Sequence, residues 1–155
     1  MVHRLSDTLS KLKKILSEMD SVLIAYSGGT GSTFLAKIAS EKLGKKAFTV
    51  TIDSKIHPRS EMEEARKTIQ QLGINNIIIR GSELQNDTFL SNPKERCYLC
   101  KKEIFSKLKR MAEKKSINFI ADGSNCDDLN ENRPGLMALC ELKIRSLYKK
   151  QVFLK

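Results

Sequence analysis

The stretch Val22-Leu23-Ile24-Ala25-Tyr26-Ser27-Gly28-Gly29-Thr30-Gly31-Ser32-Thr33 decides how the rest of the chain is read. Its first five residues form a nearly unbroken apolar run, as in a strand of a parallel sheet buried on both faces. A turn with three glycines follows. Phe34, Leu35, Ile38, Ala39 and Leu43 then recur at helical spacing as far as Gly44, a helix-ending residue. Apolar strand, glycine-rich turn and helix in that order predict the first unit of an α/β domain with a ligand site at the turn.

The pattern extends in both directions. Leu5, Leu9, Leu12, Ile15, Leu16 and Met19 predict an amphipathic helix behind a Ser6 N-cap, with Asp7 in its first turn. Downstream, residues 47–52 read as a strand. Pro58 opens a helix through Leu72, with Glu61, Glu63 and Glu64 early in it. Residues 76–80 read as a third strand, 96–115 as a long amphipathic helix and 117–121 as a fourth strand. A loop over 122–134 and a helix over 135–142 complete the pattern. This alternation predicts a single domain over 1–155, α/β and doubly wound, with a mainly parallel sheet and helices on both faces. Right-handed crossovers then place any ligand at the strands' C-terminal ends, beside 27–33, 53–57, 81–82 and 122–128.

Composition excludes several classes. The 155 residues are 40% hydrophobic and 30% charged, as expected for one globular core. No unbroken apolar stretch exceeds five residues, Ile77-Ile78-Ile79 being three, far short of the ~20 residues of a membrane span. The start of the chain lacks the apolar run of a secretory signal. The expectation is a cytoplasmic protein without membrane contact, its four cysteines (Cys97, Cys100, Cys126, Cys140) reduced. The net charge of +10 divides evenly, +5 in residues 1–80 and +5 in 81–155, so no basic tail stands apart. Only 101–115 is locally dense, with seven basic residues against Glu103 and Glu113. That segment is either a solvated helix face or a surface for an anionic partner such as RNA.

At the turn, glycines admit an anion close to backbone N–H groups. The helix start adds partial positive charge, and Ser27, Ser32 and Thr33 add hydroxyls. The alternative is a tight turn that needs glycine only for its backbone angles. A mononucleotide P-loop is excluded because no Lys precedes the Ser/Thr. A dinucleotide fingerprint is incomplete: Gly29 and Gly31 supply two glycines, Phe34 stands at the third, and Asp53 takes the place of the ribose-binding acid. A dinucleotide-dependent oxidoreductase stays open as an alternative.

Ser27-Gly28-Gly29-Thr30-Gly31-Ser32 resembles the Ser-Gly-Gly-x-Asp-Ser loop of the PP-loop ATP pyrophosphatase superfamily, which cleaves ATP between its α and β phosphates and adenylates an acceptor. Asn92-Pro93-Lys94-Glu95-Arg96-Cys97-Tyr98-Leu99-Cys100-Lys101 is similar to a segment of the sacrificial sulfur transferases that mature the nickel-pincer cofactor of lactate racemase. Asp122-Gly123-Ser124-Asn125-Cys126-Asp127-Asp128, Arg133-Pro134-Gly135 and Ile144-Arg145-Ser146-Leu147 are similar to further patches of that family. The resemblance implies a Rossmann-like fold of the adenine nucleotide alpha-hydrolase type. It also implies ATP with Mg²⁺, bound by Ala25, Ser27, Gly28, Gly29, Gly31, Ser32, Thr33, Thr51, Ile52, Asp53, Gly123 and Ser124.

Asp127 and Asp128 are candidates for Mg²⁺, with loop hydrogen bonding as the alternative. Cys97 and Cys100, three apart at a helix start, form a candidate thiol site; zinc would need two more ligands. His57 reads as a loop residue. Gly31 departs from the loop motif, which has Asp there, so nucleotide binding is expected to survive better than cleavage. The chain is expected to correspond to the ATP domain alone, without the family's C-terminal sulfur-transfer domain. A second polypeptide or a homo-oligomer is therefore a possible partner. Three readings result: an adenylating enzyme of sulfur-transfer type, a catalytically degenerate nucleotide-binding partner subunit, and an RNA-binding thiolation component.

Overall fold

Residues 2–55, 57–81, 96–123 and 141–146 are described by the computed structural model. The elements are α1 (Val2–Glu18), β1 (Val22–Ala25), α2 (Thr30–Leu43), a 3-10 turn (Gly44–Lys46), β2 (Ala47–Asp53), α3 (Arg59–Gln71), β3 (Asn75–Arg80), α4 (Arg96–Lys114), β4 (Phe119–Asp122) and β5 (Arg145–Ser146). The five strands form one sheet in the order β3-β2-β1-β4-β5. Every pairing is parallel, Val22 lying beside Ala47 on one side and Phe119 on the other. The chain winds outward from β1 in both directions, so β1 and β4 meet at the point where the strand order reverses.

Alternation along the strands divides the core. Val22, Ile24 and Tyr26 point into a layer closed by Leu12 and Leu16 of α1, Leu35 and Ile38 of α2, and Ala65 and Ile69 of α3. Leu23 and Val50 point the other way, against Phe105, Leu108 and Ala112 of α4. Helices therefore cover both faces, as the alternation predicts. Thr49 and Thr51, fully buried in the sheet, both donate to Oδ1 of Asn76, at 2.9 and 3.1 Å, which satisfies their hydroxyls without water.

Each strand is entered through a turn containing one residue of positive φ: Asp20 (61°), Gly44 (56°), Gly73 (66°), Ser116 (55°) and Lys143 (57°). At two of them the next residue's amide reaches back to the helix, Ile74 N to Ile69 O at 3.3 Å and Ile117 N to Ala112 O at 2.9 Å. Both isoleucines are buried, so the helix end is capped and the chain redirected in one step.

Several boundaries differ from the sequence reading. The first helix begins at Val2, so Ser6 lies inside it and caps nothing. Pro58 stands at the N-cap with extended ψ (136°), one residue before the first turn. Asp122 belongs to β4 rather than to the loop after it. Two residues of the Ile144–Leu147 patch pair with β4 as a fifth strand, too short to show any alternation. The expected helix over 135–142 lies mostly outside the described residues. No helix among the described residues is long and apolar enough to cross a membrane.

Candidate functional site

The glycine-rich turn joins β1 to α2 at the C-terminal edge of the sheet, where the strand order reverses. Helix α2 begins at Thr30, with Gly29 as its N-cap, so half of the turn is already helical. The helix's first amides are therefore aimed out of this edge, with its partial positive charge.

Two close approaches fix the turn. Gly28 has φ +83°, and a Cβ there would lie 2.6 Å from the Cβ of Ala65 on α3. Gly123, just after β4, packs on the first turn of α2; its Cβ would lie 2.7 Å from Ser32 N and 2.9 Å from Ser32 Cα. The turn is pressed between α3 and the end of β4 with no room for side chains at either contact. The tight-turn alternative thus holds for Gly28, whose angle and surroundings both demand glycine.

Hydroxyl groups stitch the turn together. Ser27 N donates to Ser32 Oγ at 3.3 Å, and the two serine oxygens are 3.2 Å apart. Thr33 Oγ1 donates to Gly29 O at 2.7 Å, and its oxygen is 3.5 Å from the Tyr26 hydroxyl. Tyr26 in turn donates to Ala65 O at 3.2 Å, tying α3 to the turn a second time. Ser32 is only 5% exposed, so its hydroxyl shapes the turn from within; Ser27 is on the exposed side.

Ala25, Thr51, Ile52 and Asp53 gather beside the turn, Ala25 paired with Val50 and Asp53 with Arg80. The side chain of Thr51 is spent on Asn76. The Asp53 carboxylate lies under α3, 2.7 Å from Arg59 Nη1 and 3.6 Å from Arg66 Nη2. Neither arginine is among the sequence candidates. Their seven-residue spacing, which puts both on one helix face beside a strand-end acid, was the available signal. Phe34 also differs from expectation: at 43% exposure it does not press on the sheet. The close helix–strand contact is made by Gly123 instead.

A second cluster joins the start of α4 to Glu141, four residues before β5. Tyr98 donates to Glu141 Oε2 at 2.7 Å, and Lys102 Nζ donates to Tyr98 at 3.0 Å and lies 3.4 Å from Glu141. The Tyr98 hydrogen bond, with the nearby ammonium, lowers the Glu141 pKa, while Tyr98 and then Glu141 raise that of Lys102. Cys100 is half-buried on the same helix. The side chain of Cys97, and Ser124, Cys126, Asp127, Asp128 and Cys140, lie outside the described residues.

Among the described residues no three His, Cys, Asp or Glu side chains converge as a metal site. Asp53 is bracketed by guanidinium groups, which oppose a cation there. The Mg²⁺ candidates Asp127 and Asp128 lie outside the described residues.

The sequence profile of NAD synthase matches residues 1–114. Over 144 residues the chain is 31% identical to pyridinium-3,5-bisthiocarboxylic acid mononucleotide synthase of Lactiplantibacillus plantarum, covering 90% of this chain and 51% of that protein. The fold is similar to an NH3-dependent NAD synthetase from Campylobacter jejuni, with TM-score 0.69, 18% identity and coverage of 80% of this chain and 58% of that one. It is also similar to a U34-tRNA thiolase from Methanococcus maripaludis, with TM-score 0.62, 22% identity and coverage of 83% and 48%. The chain spans about half the length of the curated relatives it matches.

Proposed function

The chain belongs to the NAD synthase family, within the PP-loop superfamily, and from that premise we propose that it binds ATP with Mg²⁺ at the Ser27–Thr33 turn and cleaves it between the α and β phosphates, adenylating an acceptor in sulfur-transfer chemistry. The observation that carries this reading is the position of the turn. A glycine-rich helix start, clear of side chains at Gly28 and Gly123, opens at the reversal point of the sheet.

In this mechanism the first turn of α2 receives the polyphosphate, and Ser27 contributes a hydroxyl from the exposed side. The strand-end backbone at Ala25 and Thr51 to Asp53 borders the adenosine, with Gly123 opposite. An acceptor oxygen attacks the α-phosphorus, the bond to the bridging oxygen breaks, and pyrophosphate leaves with both electrons. Positive potential at the helix start favours the charge that develops on the leaving group. The sulfur-transfer assignment rests on the Lactiplantibacillus relative and on the motifs around Tyr98 and Gly123.

A second reading, a nucleotide-binding partner subunit without cleavage, is favoured by Gly31, which removes a carboxylate from the first turn of α2. The RNA reading draws less support. Lys102 and Lys107 are paired with Glu141 and Glu103, and Lys109, Arg110, Lys114 and Lys115 lie toward the opposite edge of the sheet from the turn. Incubation with ATP·Mg²⁺ and analysis of the nucleotides separates these readings. AMP with pyrophosphate supports the enzyme, bound but intact ATP supports the partner subunit, and binding of NAD in place of ATP overturns both.

A further inference from the structure

We propose that Arg59 and Arg66 form an anion-binding subsite beside the glycine-rich turn, holding a phosphate or carboxylate group of the co-substrate apart from the nucleotide's polyphosphate. The proposal rests on the nucleotide reading above for the identity of the neighbouring ligand, but not for the subsite itself.

Three observations carry it. First, the charges do not balance. Two guanidinium groups, with ten N–H donors between them, share one carboxylate, whose four lone-pair directions cannot satisfy them. At 3.6 Å the Arg66 contact is an ion pair too long for a hydrogen bond, and the side chains of Arg59 and Arg66 remain 64% and 44% exposed. Second, stability does not require the arrangement. Arg59 is the first residue of α3, where the helix dipole disfavours a cation, and exposed ion pairs contribute little to folding. Third, the pair has a defined place. Ala65, next to Arg66, touches Gly28 and accepts the Tyr26 hydrogen bond, so this face of α3 is fixed against the turn. Adenylation brings an anionic acceptor toward an anionic nucleotide, and a net positive group at that rim offsets their repulsion.

On this reading Asp53 holds the two guanidinium groups in position and limits their affinity in the absence of ligand; it is a positioning residue. The test is an NMR titration of the arginine Nε–H signals with inorganic phosphate and, separately, acetate, with and without saturating ATP·Mg²⁺. Expected are saturable shifts of Arg59 and Arg66, retained when ATP is bound and absent from R59Q/R66Q, which still binds ATP within about threefold of the parent. The anion with the larger shift identifies the group accepted. D53N is expected to bind the anion severalfold more tightly, which a purely structural ion pair would not produce. Arginine signals that ignore both anions while ATP binds overturn the subsite and leave the nucleotide reading intact. Shifts without ATP binding overturn the nucleotide reading and keep the subsite. Competition between phosphate and ATP, or a tenfold loss of ATP affinity in R59Q/R66Q, assigns the arginines to the nucleotide and overturns the proposal.

Discussion

Gly123 and Ser32 meet backbone to backbone: a Cβ on Gly123 would lie 2.7 Å from the Ser32 nitrogen and 3.0 Å from the carbonyl carbon of Gly31. No flexible side chain is available to yield. Gly123→Ala should therefore push β4 and α2 apart, costing about 1–3 kcal/mol of stability and at least about tenfold in ATP affinity. Urea denaturation and nucleotide titration check both, and an unchanged ATP affinity would sink the idea that this contact shapes the turn.

Gly28 carries two demands that can be separated. Gly28→Ala should lose about 1–2 kcal/mol to the left-handed backbone and about 1–3 kcal/mol to the clash with Ala65. In an Ala65→Gly background, which itself loses about 1 kcal/mol of helix stability, Gly28→Ala should cost only the first part. No cost in that background would mean that the backbone angle carries no strain.

Gly31 occupies the first turn of α2, where an acid is favourable to the helix dipole by about 0.3–1 kcal/mol. Gly31→Asp should leave melting temperature unchanged or higher and alter the ratio of pyrophosphate release to ATP affinity in favour of release. If neither ATP affinity nor pyrophosphate release moves, Gly31 is not what limits cleavage.

Ser116 adopts φ 55° in an exposed turn. Ser116→Gly removes that strain at some expense in unfolded-state entropy, for a net gain of about 0.5–1 kcal/mol. At this chain length that is a rise of about 1–4 °C in Tm. Ser116→Ala, which keeps the strain, is the control and should give no rise.

The Tyr98–Lys102–Glu141 cluster has a signed pH dependence. Glu141 titrates below its ordinary 4.5, so its contribution is present above that value and is lost as pH falls through the lower folded pKa. Lys102 titrates above 10.5, so its contribution is present below that value and is lost as pH rises through the higher folded pKa. Between these limits the cluster adds no slope. Tyr98→Phe should move the Glu141 carboxyl titration back toward 4.5 by NMR, and an unmoved titration would remove Tyr98 as the cause.

Periodicity made the strands and long helices legible because burial on both faces leaves continuous apolar runs such as 22–26. The glycine turn was legible from residue type alone. What escaped was set by tertiary partners. Two-residue β5 exists only because β4 offers it a ladder. That α3 returns Arg59 and Arg66 onto Asp53 was signalled only by their seven-residue spacing. Tyr98 lies in the Asn92–Lys101 motif, but its partner Glu141 is 43 residues away. Phe34 fitted the apolar spacing of α2 yet lies on its outer side, since spacing alone does not say where a covered stripe ends.

The short turns with positive φ at the sheet's other rim have a consequence for the turn at 27–33. Two of them, at Gly73 and Ser116, tie their strand's starting point to the preceding helix through the amides of Ile74 and Ile117. A strand reverses which face every residue shows when its start slips by one position. One residue inserted between Lys115 and Asn118 would send Ala121 toward the wrong layer and carry Gly123 off Ser32. Length on the quiet rim thus acts as a ruler for the other, and residues remote from any ligand set the dimensions of the place where one would sit.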